Sequence, residues 1–195
     1  MEALAQLLQE VRSCRLCAAQ LPFPPRPVLR AAVTARLMIV GQAPGTRVHE
    51  TGIPWNDPSG DRLRAWLQMS REEFYDETRI AIIPTGFCYP GKGSGGDLPP
   101  RPECAPCWHP RLRAALPNIK LTLLIGSYAQ AYYLPGATKQ SLAETVASYQ
   151  EYLPAFFPLP HPSPRNLRWF KLHPWFESEV IPALRKRVEV VRATP

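Results

Sequence analysis

The apolar segment RLMIV, residues 36–40, runs directly into the turn GQAPG, residues 41–45, and this stretch is the clearest fold signal in the sequence. A short, continuously apolar run that ends at a glycine is typical of a strand buried on both faces of a parallel sheet. Similar runs follow at residues 79–83, 120–125 and 155–159. Because segments with helical spacing lie between them, we expect an α/β fold: a three-layer α/β/α sandwich around a short, mostly parallel four-stranded sheet.

Helical spacing is found in the first fourteen residues and in three later segments. These are residues 59–69, SYAQAYYL (127–134) and PWFESEVIPALRKRVEVV (174–191). Ser70 and Glu73 have the spacing of a capping box. Residues 84–110 are rich in Gly, Pro and Cys and show no periodicity, so we expect a long loop that some further interaction holds in place. With 195 residues and no obvious linker, the chain is predicted to form a single domain, residues 1–195.

The charge balance favours an anionic partner. The formal net charge is +7 and the isoelectric point is near 9.4, which favours nucleic acid over a membrane surface. The N-terminus, MEALAQLLQEVRSC, contains acidic residues and lacks the features of a secretory signal, and no apolar run approaches the length of a membrane span. We therefore expect a cytoplasmic, monomeric protein with no membrane partner.

The chain has five cysteines, an odd number, which favours metal binding or free thiols over disulfides. Two C-x-x-C pairs allow a zinc site made of Cys14, Cys17, Cys104 and Cys107. The competing set is Cys14, Cys17, Cys88 and Cys104, which suits an iron-sulfur cluster equally well and leaves Cys107 as a free thiol. A third interpretation is a set of inert, buried cysteines. In either metal interpretation, binding would join the N-terminal helix to the 84–110 loop.

The loop after the first predicted strand contains candidate binding residues. Gly41 and Gly45 allow close backbone approach, and Gln42 can both donate and accept hydrogen bonds. Trp55, Asn56 and Asp57 follow, and together they could hold a planar polar ligand and an activated water. The structural alternative is a core tryptophan with Asp57 as the N-cap of the helix that begins near Ser59.

Three motifs in this order resemble the uracil-DNA glycosylase superfamily. They are the G-[EQ]-A-P-G turn after the first strand, the T-G-x-P-aromatic stretch that ends at Trp55, and H-P-S-P-R-N at residues 161–166. Cys14-x-x-Cys17 with Cys88 and Cys104 further resembles the family-4 enzymes, which carry a [4Fe-4S] cluster. The resemblance spans roughly residues 1 to 190 and favours the iron-sulfur set of cysteines, with structural zinc as the alternative.

The resemblance implies a role for each motif. His161 would donate to the departing pyrimidine, Ser163 would hold a DNA phosphate, and Arg165 would enter the base stack, with Asn166 also on the DNA side. Trp55 stands at a position that is usually phenylalanine and would stack on the extruded base. The substrate would also contact the turn after the first strand, through Gly41, Gln42, Ala43 and Pro44, and the later residue Asn56.

Two departures from the family pattern affect catalysis and specificity. Gln42 stands at the family-4 glutamate position, and Ala43 stands where family-1 enzymes have the catalytic aspartate, so the first motif is atypical. Asp57 is the nearest substitute, and a family-5-like pattern also has an aspartate in this loop. The asparagine that reads the uracil edge would fall near Pro84 or Thr85. Backbone groups, Gln42 or Asn56 would then have to recognise the base.

The resulting prediction is a monofunctional DNA-repair glycosylase that flips and excises uracil from single- or double-stranded DNA and leaves an abasic site. One alternative is a glycosylase for another deaminated base, such as hypoxanthine. The other is a catalytically weak module that binds DNA lesions.

Overall fold

The computed structural model describes residues 2–136 and 141–193, and its centre is a sheet of four parallel strands. The strands of the chain are β1 (Leu37–Val40), β2 (Ile80–Ile82), β3 (Lys92–Gly93), β4 (Gly96–Asp97), β5 (Leu121–Ile125) and β6 (Phe156–Leu159). The parallel sheet has the order β2-β1-β5-β6, with Leu37 paired to Ile80 on one side and to Leu121 on the other. Strands β3 and β4 form a separate antiparallel hairpin.

Helices cover both faces of the sheet. They are α1 (Glu2–Arg12), α2 (Thr46–Thr51), α3 (Pro58–Leu67), α4 (Arg71–Tyr75), α5 (Cys104–Ala114), α6 (Ser127–Tyr133), α7 (Leu142–Ala147), α8 (Leu167–Leu172) and α9 (Ile181–Ala193). Short 3-10 turns lie at Ala18–Gln20, Tyr149–Tyr152 and Pro164–Asn166, and a π-helical turn at Phe176–Val180 precedes α9. None of the helices in the described part of the chain is long and apolar enough to cross a membrane.

The alternation of side chains along β1 shows how the layers form. Leu37 and Ile39 pack into one core with α3, α4, α7 and α9, whereas Met38 and Val40 pack into a second core with α1, α5 and α6. Every residue of β1 is buried, which is why the segment reads as continuously apolar instead of alternating. The predicted three-layer α/β/α sandwich is confirmed, with four strands that are all parallel to their neighbours.

The structure shifts several predicted boundaries. Each predicted strand is longer than the observed one, because the apolar runs include flanking residues that lie just outside the strand. Arg36 is an example: it precedes β1, and its N–H donates to the Arg79 carbonyl oxygen at 3.0 Å. The segment predicted as one helix over 174–191 is divided into the π-helical turn and α9. The Ser70–Glu73 capping box is confirmed, with both reciprocal bonds present.

The prediction of an irregular loop over residues 84–110 is wrong for its last part, where α5 begins at Cys104. Prolines masked this helix in the sequence. Pro106 lies in its first turn, where a missing N–H leaves no intrahelical bond unmade. Trp108 and Leu112 are four residues apart and both face the second core. The hairpin of β3 and β4 was also not predicted.

Candidate active site

The main candidate site is a cavity of about 400 Å³ at the carboxyl ends of the parallel strands. The turn after β1, the segment after β2 and the loop after β6 all contribute to its lining, as is usual for ligand sites in α/β folds. Ten of the eleven non-cysteine site residues predicted from the sequence line it. They are Gly41, Gln42, Ala43, Pro44, Trp55, Asp57, His161, Ser163, Arg165 and Asn166.

Trp55 and His161 face each other in this cavity, with ring centroids 5.5 Å apart and planes inclined by 31°. Gly41 allows this arrangement, because a β-carbon there would lie 2.8 Å from Cζ2 of the indole. Trp55 adopts a left-handed backbone conformation, with φ of 57°, which is rare for a bulky residue and clusters at functional sites. The indole also packs against the core between the sheet and α3, so it is both a core residue and part of the cavity wall.

The loop that presents His161 is fixed by its own hydrogen bonds. Nδ2 of Asn166 donates to the His161 carbonyl oxygen at 2.8 Å, and the backbone N–H of Arg165 donates to Oγ of Ser163 at 3.2 Å. Burial lowers the pKa of the His161 imidazole, while the nearby Asp57 carboxylate opposes that shift. The imidazole is therefore neutral at neutral pH and can donate from one ring nitrogen and accept at the other.

Asp57 combines the two roles that the sequence left open. Its Oδ1 accepts a hydrogen bond from the Gly60 N–H at 2.8 Å, which is the N-cap of α3. The same side chain lines the cavity and lies close enough to His161 to influence its charge. The carboxylate is therefore anchored by the helix that it caps and directed toward the ligand space.

Asn56 does not lie where the sequence suggested, since it is absent from the cavity lining. Its Oδ1 accepts from Arg71 at 2.9 Å, and its Nδ2 donates to Oγ1 of Thr51 at 3.5 Å. The chain turns at Trp55, so residues 55 and 57 face the cavity while the side chain between them binds its own neighbours. The structure therefore does not bring Asn56 together with the other predicted substrate residues, and its hydrogen bonds support the loop.

Thr85 occupies the position near which the amide of family-4 enzymes was expected. Its Oγ1 donates to the Gln42 carbonyl oxygen at 2.6 Å, and its N–H donates to the Gly41 carbonyl oxygen at 2.9 Å. Pro84 lines the cavity, and its carbonyl oxygen accepts from Nε2 of the buried His109 at 3.0 Å. This strand end therefore holds the turn after β1 in place and offers no side-chain amide to a ligand.

The hairpin of β3 and β4 forms a wall of the cavity that sequence reasoning missed. Gly95, Gly96 and Asp97 line the cavity, and the carbonyl oxygen of Gly95 accepts from Nη1 of the exposed Arg165 at 3.0 Å. Asp97 lies between the cysteines, in a segment that was interpreted only for metal binding. An acid directly after two glycines was the one available signal.

A second, smaller cavity brings together Cys14, Cys17, Cys88 and Cys104. Burial, with a smaller contribution from the neighbouring thiols, raises the pKa of the Cys104 thiol to about 12 and that of Cys88 to about 11. The Phe87 N–H donates to Sγ of Cys104 at 3.4 Å. Across residues 2–136 and 141–193, no three His, Cys, Asp or Glu side chains form a group that could hold a single metal ion.

Cys107 does not line this second cavity, and its side chain is exposed. It lies one turn after Cys104 on α5, on the side of the helix that faces solvent. The structure therefore does not gather the zinc set that required Cys107. The set that contains Cys88 is the one that shares a cavity.

The fold and the first cavity define a class of α/β protein with a ligand site at the carboxyl edge of a parallel sheet, lined by an indole, a carboxylate and an imidazole. The chain belongs to the uracil DNA glycosylase superfamily, whose family model matches residues 29–185. Membership indicates a DNA glycosylase, a hydrolase of DNA repair that binds DNA, and the sequence-based assignment is confirmed at this level. The matched residues begin after Cys14 and Cys17, so the iron-sulfur subtype stays a prediction.

Proposed function

We propose that this protein hydrolyses the N-glycosidic bond of uracil in DNA as a monofunctional enzyme and leaves an abasic site. The observation that carries the proposal is one cavity, in a member of this superfamily, into which Trp55, Asp57 and His161 all project. A base inside a duplex cannot reach such a cavity, so the target nucleotide has to leave the stack first.

His161 stabilises the leaving group in this proposal. Cleavage leaves negative charge on the departing pyrimidine, and a fixed N–H directed at its O2 acts where that charge develops. The pKa of the imidazole is lowered by burial, so the ring is neutral and donates through the one ring nitrogen that carries a hydrogen. The bond from Asn166 to the His161 carbonyl keeps the loop from having to order on binding.

Trp55 and Asp57 act on the base and on the sugar. The indole, held against Gly41, provides the surface on which the extruded base stacks. Asp57 has one oxygen committed to the cap of α3, and its negative charge stabilises the oxocarbenium-like sugar and orients water. Gln42, whose amide can both donate and accept, is the cavity side chain that we assign to the base edge.

The loop after β6 contacts the DNA backbone and the gap in the stack. Ser163 holds a phosphate, and Arg165, which is exposed at the cavity rim, enters the space that the flipped base leaves. Arg62 adds positive charge here, since its guanidinium donates to the carbonyl oxygens of Pro162 and Ser163 at 3.4 and 3.3 Å. These charges support the backbone contacts that give nucleic-acid binding its salt dependence.

The direct test is incubation of the purified protein with uracil-containing oligonucleotides, single- and double-stranded. We expect free uracil and alkali-labile sites from the wild type, and a loss of about 10²- to 10³-fold in His161→Ala. His173→Ala removes an imidazole outside the cavity and should retain full activity. Absence of any alkali-labile product from the wild type on both substrates would exclude uracil excision.

A second candidate substrate is another deaminated base, such as hypoxanthine. The observation that favours it is the end of β2, where Pro84 and Thr85 offer no side-chain amide to select uracil. A panel of oligonucleotides with different lesions separates the two, because the preferred base gives the highest single-turnover rate. Tight binding to the whole panel without turnover would instead support a lesion-binding module, which is the alternative that Ala43 raises.

We further propose that Cys14, Cys17, Cys88 and Cys104 hold a [4Fe-4S] cluster. Four thiolates on one zinc must all lie about 2.3 Å from a single point, whereas a cluster takes one thiolate per iron and sets its ligands farther apart. The four cysteines that line the second cavity are the number of thiolates that such a cluster takes. When bound, such a group would cross-link the segment after α1, the segment after β2 and the start of α5.

The cluster proposal is tested by colour and metal content. Anaerobically purified protein should be yellow-brown and contain iron and sulfide in equal amounts. Colourless protein with one zinc would favour the alternative metal. Light scattering of the same sample tests the expectation of a monomer.

A further inference from the structure

Hydrolysis requires a group that accepts a proton from water. Neither Ala43 nor Asp57 offers a carboxylate that is wholly free for this role. Ala43, in the turn after β1, has no acceptor in its side chain. Asp57 uses Oδ1 to cap α3 through the Gly60 N–H at 2.8 Å. One of its two carboxylate oxygens is therefore engaged by the fold before any substrate binds.

Asp97, at the end of β4, brings a second carboxylate to the same cavity. It lies directly beside the turn after β1, because a β-carbon at Gly45 would lie only 3.1 Å from its Oδ2. Among the described residues this carboxylate makes no hydrogen bond and no ion pair, and its side chain is open to solvent. All of its lone pairs are available to a water molecule at the edge of the cavity.

The hairpin keeps Asp97 in this position. The Leu98 N–H donates to the Gly91 carbonyl oxygen at 2.8 Å and closes the base of the hairpin, and Arg165 binds its tip through the Gly95 carbonyl. Hydrogen bonds at the base and at the tip of the hairpin thus fix the backbone that carries Asp97, so its carboxylate needs little reorganisation during a reaction.

The charged groups that face Asp97 are Arg165, Lys92 and Asp57. Partial burial raises the pKa of the Asp97 carboxyl, Arg165 and Lys92 lower it, and the negative charge of Asp57 raises it. The net direction is upward, which makes this carboxylate a stronger proton acceptor while it is ionised.

From this geometry we propose that Asp97 is the general base that activates the hydrolytic water, an assignment that rests on the glycosylase function proposed above. The water oxygen forms a bond to C1′ of the deoxyribose as the C1′–N bond breaks, and the electron pair of that bond leaves with the base. The water proton passes to the Asp97 carboxylate and is later returned to the released base through solvent. Asp57 then retains the stabilisation of the cationic sugar.

The test compares single-turnover excision by the wild type, Asp97→Asn and Glu189→Gln on one uracil-containing duplex over a range of pH. Asp97→Asn keeps the size of the side chain and removes only the base, so we expect its rate to fall by about 100-fold or more. Its affinity for the same duplex should stay within about twofold. In the wild type the rate should fall on acidification as the carboxylate becomes protonated, and this acid limb should be lost in the variant. Glu189→Gln removes an equal charge on an exposed part of α9 and should match the wild type.

Each other outcome overturns the proposal in a recognisable way. If Asp97→Asn excises uracil at a rate within threefold of an active wild type, the glycosylase function stands and Asp97 has no part in catalysis. An unchanged rate on uracil with new excision of cytosine would make Asp97 a reader of the base edge instead. A wild type that excises no base would overturn the proposed function and this inference together.

Discussion

The two cavities of this molecule differ in how their polar groups are satisfied. Around His161 the chain supplies its own partners: Asn166 holds the loop carbonyl and Gly60 holds the Asp57 carboxylate. Around the cysteines, burial raises the thiol pKa values of Cys88 and Cys104 to about 11 and 12, although backbone hydrogen bonds from Arg26 and Phe87 oppose that rise. In the first site the folded chain itself positions His161 and Asp57. The second gathers four half-buried thiols, which a bound group would join if the proposed cluster is present.

The largest effect that this contrast predicts follows loss of one of the four cysteines that we propose hold the cluster. Cys104→Ser should abolish iron binding and lower the free energy of unfolding by about 4 kcal/mol, the size of effect that loss of a metal produces. In a chain of this length the melting temperature would fall by about 10 °C. Iron content and thermal unfolding measure both.

The matched control is Cys107→Ser, which changes an exposed thiol one turn farther along the same helix. It should leave iron content and melting temperature unchanged. If Cys107→Ser lowered the iron content and the melting temperature as much as Cys104→Ser, the proposed set of four cysteines would be wrong.

Trp55 gives the next largest effect, and here it should appear in binding and not in stability alone. Trp55→Ala removes the stacking surface and should weaken binding to a uracil-containing oligonucleotide by about 1 to 3 kcal/mol. Trp55→Phe keeps an aromatic face and should recover most of that loss. Fluorescence anisotropy with a labelled oligonucleotide measures the difference. Equal losses in both variants would mean that the indole acts through packing and not through stacking.

His109 connects the two cavities, because it lies on the helix that begins at Cys104 and donates to the Pro84 carbonyl at the edge of the other site. Its Nε2 must carry the proton for that bond, so Nδ1 accepts from the Tyr133 hydroxyl at 2.7 Å. Burial lowers the pKa of this imidazole to about 4. The ring is thus held neutral by the fold.

This lowered pKa predicts a loss of stability in acid. The unfolded chain, with a histidine pKa near 6.5, binds the proton more tightly than the folded one, so stability is full above that pH and falls as the pH drops toward 4. Between pH 7 and pH 5 the His109 contribution is about 2 kcal/mol. Urea unfolding should show this slope in the wild type and a smaller one in His109→Gln. An equal slope in both would place the titrating group elsewhere; His161, whose pKa is lowered in the same direction, would be the first to examine.

The parts of the molecule that could be predicted from sequence are those with local signals. The run at residues 36–40 contained enough apolar side chains to indicate a buried parallel strand, and the segments around His161 and Trp55 resemble family motifs, with tryptophan at a position that is usually phenylalanine. The hairpin with Asp97 could not be found this way. Its place in the cavity depends on Arg165, about seventy residues away, and no short-range pattern records that contact.

Asn56 and Asp57 show the same limit within one loop. Both were expected at the substrate, yet only Asp57 lines the cavity, because the left-handed turn at Trp55 decides which neighbour faces inward. Side-chain types alone indicated a polar loop. The backbone conformation that selects among them appears only in the folded chain.

The smallest predicted effect separates the two roles of Asp57. Asparagine is about as good an N-cap as aspartate, so Asp57→Asn should change the free energy of unfolding by less than about 0.5 kcal/mol while removing the charge that faces the ligand. Asp57→Ala removes the cap as well and should cost about 1 kcal/mol. Ser70→Ala, at the cap of α4 and outside the cavity lining, should cost a similar amount of stability with no loss of excision. Urea unfolding gives the free energy of unfolding of these three variants, and single-turnover experiments give their excision rates. If Asp57→Asn were as active as the wild type, the carboxylate would serve the helix alone, and the chemistry at the sugar would fall to Asp97.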